Sequence, residues 1–76
     1  MPLNRKERAR LKAFGANVRR ERHARGLTQE ELAEAAEIST RNLQKVEAGQ
    51  LNILLTTIIR IQLGLRCPWR KLMPSE

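Results

Sequence analysis

Apolar side chains recur at helical spacing in the middle of the chain, in two short groups separated by a polar interruption. The first group is Leu32, Ala33 and Ala36, and the second is Leu43 and Val46. Intervals of three and four residues place side chains on one face of an α-helix. The two groups therefore predict two short helices, each with one buried face.

Each of these predicted helices begins at a polar residue. Thr28 precedes the first helix and Glu31 follows it by three residues, which is the spacing of a capping box. Ser39 stands at the corresponding position of the second helix, and Gly49 stands where a glycine commonly ends a helix. Residues 29–49 therefore predict a helix-turn-helix.

The buried face of the second helix determines which of its side chains point outward. At 100° per residue, Arg41, Gln44 and Lys45 lie opposite that face. Arginine and lysine donate to guanine, glutamine pairs with adenine, and the second helix of such a motif lies in the major groove of DNA. The alternative is a helix face that is merely solvated. The predicted base-contacting residues are Thr40, Arg41, Gln44 and Lys45.

The same stretch resembles a known family. The segments GLTQEELA (26–33), IS (38–39) and VEAG (46–49) are typical of lambda-repressor-like (Cro/XRE-type) DNA-binding domains, and the resemblance covers roughly residues 14–73. It implies an all-α fold, a compact bundle of about five helices with a central helix-turn-helix. It also implies DNA binding and, usually, dimerisation.

The resemblance further implies roles for residues outside the base-contacting set. Gln29, which opens the first helix of the motif, is implied to contact a phosphate. Arg22 and Glu47 match positions that often form a structural ion pair. The full set of predicted phosphate contacts is Gln29, Ser39, Asn42 and Arg19.

The turn of the motif departs from the family pattern at one position. The residue before Ile38 is commonly a glycine in this family, because it adopts a left-handed conformation, and here it is Glu37. A residue with a Cβ costs roughly 1–2 kcal/mol in that conformation. The departure affects the expected stability of the turn and leaves the motif intact.

Positive charge is concentrated at the beginning of the chain. The 76 residues include 15 Lys and Arg and 8 Asp and Glu, a formal net charge of +7. Residues 1–26 contain nine Lys or Arg and two Glu, a net +7, whereas residues 27–36 are net −3 and residues 37–50 are balanced. A basic segment beside a DNA-contacting helix favours a polyanionic partner. The alternative is a basic surface that serves solubility.

The composition fits a single helix-turn-helix domain over residues 1–76. Apolar residues make up 41% of the chain and aromatic residues 3%, so the core is expected to be aliphatic. Few residues before Ile53 are β-branched, which favours helices over strands. A chain of this length folds as one small domain.

The first predicted helix can begin in two places. Asn4 and Glu7 have the capping-box spacing, which predicts a helix over residues 5–24, weakened at Gly15. The alternative is a mobile basic arm over residues 1–12 that follows the DNA backbone or enters the minor groove.

The last third of the chain predicts two more helices. One runs from about Leu55 to Leu65 with Asn52 as its cap, and the other begins at Pro68. The residues expected to point inward from the first of these are Leu55, Ile58, Ile59 and Leu65. Trp69, Leu72 and Met73 make the last helix amphipathic.

This last third contains more apolar residues than a small bundle needs. An exposed apolar patch usually marks an association surface, so we predict that the chain forms a homodimer. The alternative is that the same residues fill the core. The predicted interface residues are Leu51, Ile53, Leu54, Leu63 and Trp69.

No chemistry of catalysis or metal binding is visible. His23 has no ligand partner at a useful spacing, and no nucleophile with a base is present, so no metal, no cofactor and no enzymatic activity are expected. Cys67 is the single cysteine, which suits a reducing cytoplasm. No run of 18 apolar residues and no signal peptide occur, so no membrane association is expected.

Two function classes follow. The first is a small homodimeric transcriptional regulator, of repressor or restriction-modification controller type, that binds a palindromic double-stranded DNA operator. The second is an antitoxin or adaptor that uses its apolar last third to bind a partner protein.

Overall fold

In the computed structural model, which describes residues 2–50 and 52–75, the chain forms five α-helices and no strand within those ranges. The all-α expectation is therefore confirmed. The helices are α1 (Arg5–Ala24), α2 (Gln29–Ala36), α3 (Thr40–Glu47), α4 (Leu55–Leu65) and α5 (Trp69–Leu72).

The first two helices begin with the capping boxes that the sequence predicts. The Asn4 side chain accepts a hydrogen bond from the Glu7 backbone N–H (2.8 Å), and Glu7 accepts one from the Asn4 backbone N–H (2.9 Å). Thr28 and Glu31 make the same reciprocal pair at the start of α2. Because Asn4 caps α1, residues 5–12 are a helical extension of the first helix and not an arm.

The core is mostly aliphatic and lies where α1, α2, α3 and α4 meet, and α5 adds Leu72 to it. Full burial of a Leu, Ile or Val side chain contributes about 1.5–3 kcal/mol. The buried hydrophobic residues are Phe14, Val18, Leu32, Ala33, Ala36, Leu43, Val46, Ile61, Leu65, Cys67 and Leu72. Phe14 alone is aromatic among them. Burial raises the pKa of the Cys67 thiol, which disfavours the reactive thiolate.

The sequence-based assignment of the buried face of α4 is partly wrong. Leu55 is 70% exposed and Ile59 is 38% exposed, whereas Ile61 is fully buried. α4 has two apolar faces, and periodicity alone does not tell which of them packs. The choice follows from Gly64, where an added Cβ would lie 3.1 Å from the backbone nitrogen of Ala36 in α2.

Neither end of α4 has a typical capping residue. The N-cap is Leu54, with no side-chain cap, so the expected cap at Asn52 is wrong. At the other end, Arg66 closes the helix with φ 53° and ψ 47°. Pro68 is the N-cap of α5, so this helix begins at Trp69, one residue later than expected.

The turn between α2 and α3 has the left-handed residue that the family pattern implies. Glu37 has φ 58° and ψ 42°. Its carbonyl accepts a hydrogen bond from the Arg60 guanidinium at 3.4 Å. Two residues with side chains, Glu37 and Arg66, thus occupy a conformation that usually favours glycine.

Candidate nucleic-acid interface

The position of α3 is set by a close approach to α1. Gly15 lies against the carbonyl oxygens that end α3. A Cβ at this position would overlap the oxygen of Val46 and lie 2.9 Å from that of Glu47. Glycine therefore occupies the middle of a long helix because the two backbones touch there, which explains a residue that propensity alone counts as a weakness.

A buried ion pair fixes the same two helices to each other. Arg22 donates from Nε to Glu47 Oε2 (2.8 Å) and from Nη2 to Oε1 (3.1 Å), and the two side chains are 8% and 5% exposed. Its Nη1 donates to the Leu27 carbonyl at 2.9 Å. This bidentate geometry gives both charges hydrogen-bond partners away from water. It is the pairing that the family resemblance implies.

Two glutamines extend this pair to the molecular surface. Gln29 Nε2 donates to Glu47 Oε1 at 3.1 Å, and Gln44 Nε2 donates to Gln29 Oε1 at 3.3 Å. A glutamine amide has two N–H donors and one carbonyl acceptor. Gln44 therefore keeps one N–H and its carbonyl free, which are the two groups that pair with adenine.

The structure brings the predicted base-contacting residues to one outward face. Leu43 and Val46 are fully buried, so the opposite side of α3 points away from the core. Arg41 and Gln44 are exposed on it, and Lys45 is half-buried. Thr40, the first residue of α3, is also half-buried.

The predicted phosphate contacts lie around this face. Ser39 is the N-cap of α3, and its Oγ accepts from the Asn42 backbone N–H at 3.0 Å, which leaves the hydroxyl hydrogen free to donate. Asn42 and Arg19 are exposed. Arg19 lines the same groove as Gln29 and Gln44. The arrangement can present donors from three helices to one polyanion.

Three of the five predicted dimer residues are exposed. Leu54 is 71% exposed, Leu63 65% and Trp69 40%. Ile53 packs against the core and is half-buried, so its placement in an exposed patch is wrong. Leu51 lies outside the described residues.

Sequence reasoning missed part of the apolar surface. Leu55, Ile59 and Met73 are exposed as well. Leu55, Ile59 and Leu63 follow each other at four-residue intervals, so they share one face of α4. This spacing is visible in the sequence. The residues of the buried face of α4 have the same helical spacing, so the spacing alone does not show which face is exposed.

Sequence reasoning also missed a polar link between α1 and α4. Arg25 donates to the Leu65 carbonyl at 2.6 Å and to Glu21 at 2.9 Å, and Arg20 donates to Glu21 at 3.1 Å. Hydrogen bonds from Arg25 and Arg20 lower the pKa of the Glu21 carboxyl. Arg25 thereby satisfies the Leu65 carbonyl at the C-terminal end of α4, a contact 40 residues away in sequence that no local pattern signals.

Comparison with known proteins defines the class. Residues 13–65 match the helix-turn-helix domain family, and the chain belongs to that family. The family is one of DNA-binding transcription regulators and not of enzymes. Within residues 2–50 and 52–75, the structure contains no helix that is long and apolar enough to cross a membrane.

Two solved structures of similar proteins share this fold. The restriction-modification controller protein C.AhdI from Aeromonas hydrophila is 35% identical, with a TM-score of 0.81 over 86% of this chain and 98% of that chain. The clp gene regulator ClgR from C. glutamicum is 28% identical, with a TM-score of 0.76 over 95% of this chain and 86% of that one.

A third structure supports the fold alone. A mutant of the restriction-modification controller protein C.Esp1396I is 22% identical, with a TM-score of 0.73 over 76% of this chain and 73% of that chain. A comparison with curated protein sequences gave no match. The antitoxin or adaptor alternative is not favoured by these similarities.

Proposed function

We propose that this protein is a homodimeric, cytoplasmic regulator of the restriction-modification controller type that binds a two-fold symmetric operator. The observation that carries the proposal is the outward face of α3. The buried Arg22–Glu47 pair holds this face in place. The 35% identity to a restriction-modification controller protein supports the controller type over other regulators.

The chemistry of α3 supports insertion into the major groove. Arg41 presents a guanidinium suited to the O6 and N7 acceptors of guanine. Gln44 is held by Gln29 at 3.3 Å with its adenine-pairing groups free. Because this orientation exists before DNA arrives, less side-chain entropy is lost on binding.

The start of α2 supplies the adjacent backbone contacts. The N–H groups of Gln29 and Glu30 have no partner within the helix and favour a phosphate oxygen, whereas the Glu31 N–H already donates to the Thr28 hydroxyl. Gln29 and Arg19 lie beside this end of the helix. Ser39 and Asn42 hold the phosphates at the start of α3 in the same way, so the protein is oriented on the duplex before bases are discriminated.

Replacing Arg41 with alanine tests the base contact. Loss of a bidentate guanine contact is expected to cost about 1–3 kcal/mol on the best operator and to relax specificity at one base pair. Selection of bound sites from random DNA, followed by affinity measurement on specific and random duplexes, gives the result.

Arg70→Ala is the matched control, since Arg70 is an exposed arginine on α5. Its removal should weaken specific and random DNA equally and only slightly. The same uniform loss for Arg41→Ala would make Arg41 a phosphate ligand and contradict base contact.

The exposed face of α4 supports the homodimer. Leu55, Ile59 and Leu63 share this face, Leu54 directly precedes the helix, and the folded chain leaves all four side chains exposed. Such a surface is costly unless another surface covers it. One copy of α3 contacts only a few base pairs. The α3 of a second protomer, about 34 Å away, lengthens the DNA sequence that the protein recognises.

Leu54→Glu tests the placement of this interface. Near a two-fold axis each glutamate would face its own copy in a partly dry contact, which disfavours association. Because Leu54 is 71% exposed, the variant should remain folded. Sedimentation equilibrium should show folded monomers, with weak operator binding.

Ala24→Glu serves as the control, because it places a glutamate at an exposed position of α1. It should leave the dimer intact. A Leu54→Glu variant that is folded and still dimeric would place the interface elsewhere.

A further inference from the structure

The first helix carries a row of basic side chains on one face. Arg5 and Arg8 are three residues apart, and Lys12 follows four residues later. Arg19 continues the row seven residues further on. At 100° per residue these side chains lie within about 60° of each other around the helix axis.

We call Arg5, Arg8 and Lys12 the α1 basic stripe. All three precede residue 13, where the match to the helix-turn-helix domain family begins. Membership of the family therefore assigns the stripe no role. A role has to be argued from its position and chemistry.

The stripe lies on the side of α1 that faces α3. Lys12 packs directly against Gly49, just after α3 ends: a Cβ at Gly49 would be 2.6 Å from Lys12 Cγ and 2.7 Å from Lys12 Cα. Arg19, at the other end of the row, lines the groove beside Gln44. The row therefore passes the C-terminal half of the recognition helix α3, and the stripe extends beyond its C-terminal end.

The charges of the stripe are exposed, and the helix that carries them has a fixed start. Arg5, Arg8 and Lys12 are exposed to solvent. One nitrogen of Arg8 donates to the Leu3 carbonyl at 2.7 Å, which leaves the other guanidinium donors available. The capping box at Asn4 fixes the start of the helix, so the charges keep their spacing without a partner.

We propose that the α1 basic stripe binds backbone phosphates of duplex DNA past the C-terminal end of α3, beyond those that α2 reaches. Arg5 and Lys12 are about 10 Å apart along the helix axis. That length equals about three base-pair steps along the axis of the duplex. The inference rests on the proposed insertion of α3 into the major groove and adds a second set of backbone contacts to it.

The composition of the extension favours DNA over an anionic membrane. Residues 5–10 are all exposed, and Ala9 is their one apolar residue. A helix that lies on a bilayer needs a large apolar face opposite its charges. A helix that binds the phosphates of a duplex needs only the positive charges.

The test compares two double variants that remove the same charge. Arg5→Gln/Lys12→Gln removes two charges from the stripe, while Lys6→Gln/Arg70→Gln removes two from elsewhere. Lys6 lies on the opposite side of α1, beside Pro74 and Ser75. Glutamine preserves helix propensity, and circular dichroism melts check that both variants fold as the parent does.

The measurement is the dependence of operator affinity on salt concentration. Each lost phosphate contact lowers the steepness of log affinity against log salt by about 0.9, so the stripe variant should lose about 1.8 for each bound protomer. Affinity for random duplex DNA should fall by the same factor as affinity for the operator. Ethylation interference should no longer detect the phosphates past the end of α3.

A slope equal to that of the Lys6→Gln/Arg70→Gln control would overturn the proposal. So would an unchanged slope combined with binding of the parent protein to phosphatidylserine vesicles. In both cases an intact specific site, still sensitive to Arg41→Ala, would show that the proposed function stands without the stripe. A parent protein with no salt-dependent DNA binding would refute both.

Discussion

Replacing Arg22 with methionine is expected to lower the free energy of unfolding by about 3–5 kcal/mol, because it leaves the Glu47 carboxylate buried without its cation. The Glu47 side chain is 5% exposed, so its two hydrogen bonds with Arg22, at 2.8 and 3.1 Å, lie away from water. Urea denaturation monitored by circular dichroism measures the loss.

The double variant Arg22→Met/Glu47→Leu should recover most of that loss, since apolar residues of similar volume often replace a buried pair at little cost. Recovery should be incomplete, because Gln29 and the Leu27 carbonyl lose their partners. Arg20→Met is the control: the Arg20 side chain is 58% exposed, and its removal should cost at most about 1 kcal/mol. If Arg22→Met loses no more stability than Arg20→Met, the Arg22–Glu47 pair is not desolvated.

Gly15→Ala is expected to destabilise the protein by about 2 kcal/mol or more, since overpacking against rigid backbone typically costs 1–3 kcal/mol. In an unobstructed helix the same change would stabilise by about 1 kcal/mol. The obstruction is the carbonyl oxygen of Val46, with that of Glu47 at 2.9 Å from an added Cβ. The expected sign is therefore opposite to the sign that helix propensity gives.

Thermal and urea unfolding of Gly15→Ala beside Ala16→Gly separate the two effects. Ala16 is exposed on the same helix, so its replacement reports propensity alone and should cost about 1 kcal/mol. A stabilised Gly15→Ala would show that α1 and α3 can move apart freely. A destabilised variant should also bind DNA less specifically, because α3 is displaced at the end that Glu47 anchors.

Local chemistry made the starts of α1, α2 and α3 predictable. Asn4, Thr28 and Ser39 act within three residues of themselves, so sequence spacing contains all the required information. The left-handed turn at Glu37 could be anticipated from the family pattern, although its residue type argues against it. The outward face of α3 followed from two buried residues and the geometry of a helix.

Contacts between distant segments could not be predicted in this way. Ile59 and Ile61 are equally apolar, and only the packing of Gly64 on α2 decides that Ile61 is buried. Gln29 was expected to contact a phosphate, but the structure also ties it to Glu47 and Gln44, which are 18 and 15 residues away. Such partners become neighbours only when the chain is folded.

The position of α2 has a consequence for how operators can diverge. α3 packs on α1 and α2, while the main partner of α4 is α2. In the proposed dimer, α2 therefore acts as the spacer between the DNA-contacting helix and the contact between protomers. The distance between α2 and α4 is set at Gly64, where an added Cβ would lie 3.1 Å from the backbone nitrogen of Ala36. Half-site separation and base preference thus depend on different residues, so a lineage can lengthen its operator without changing the bases it recognises.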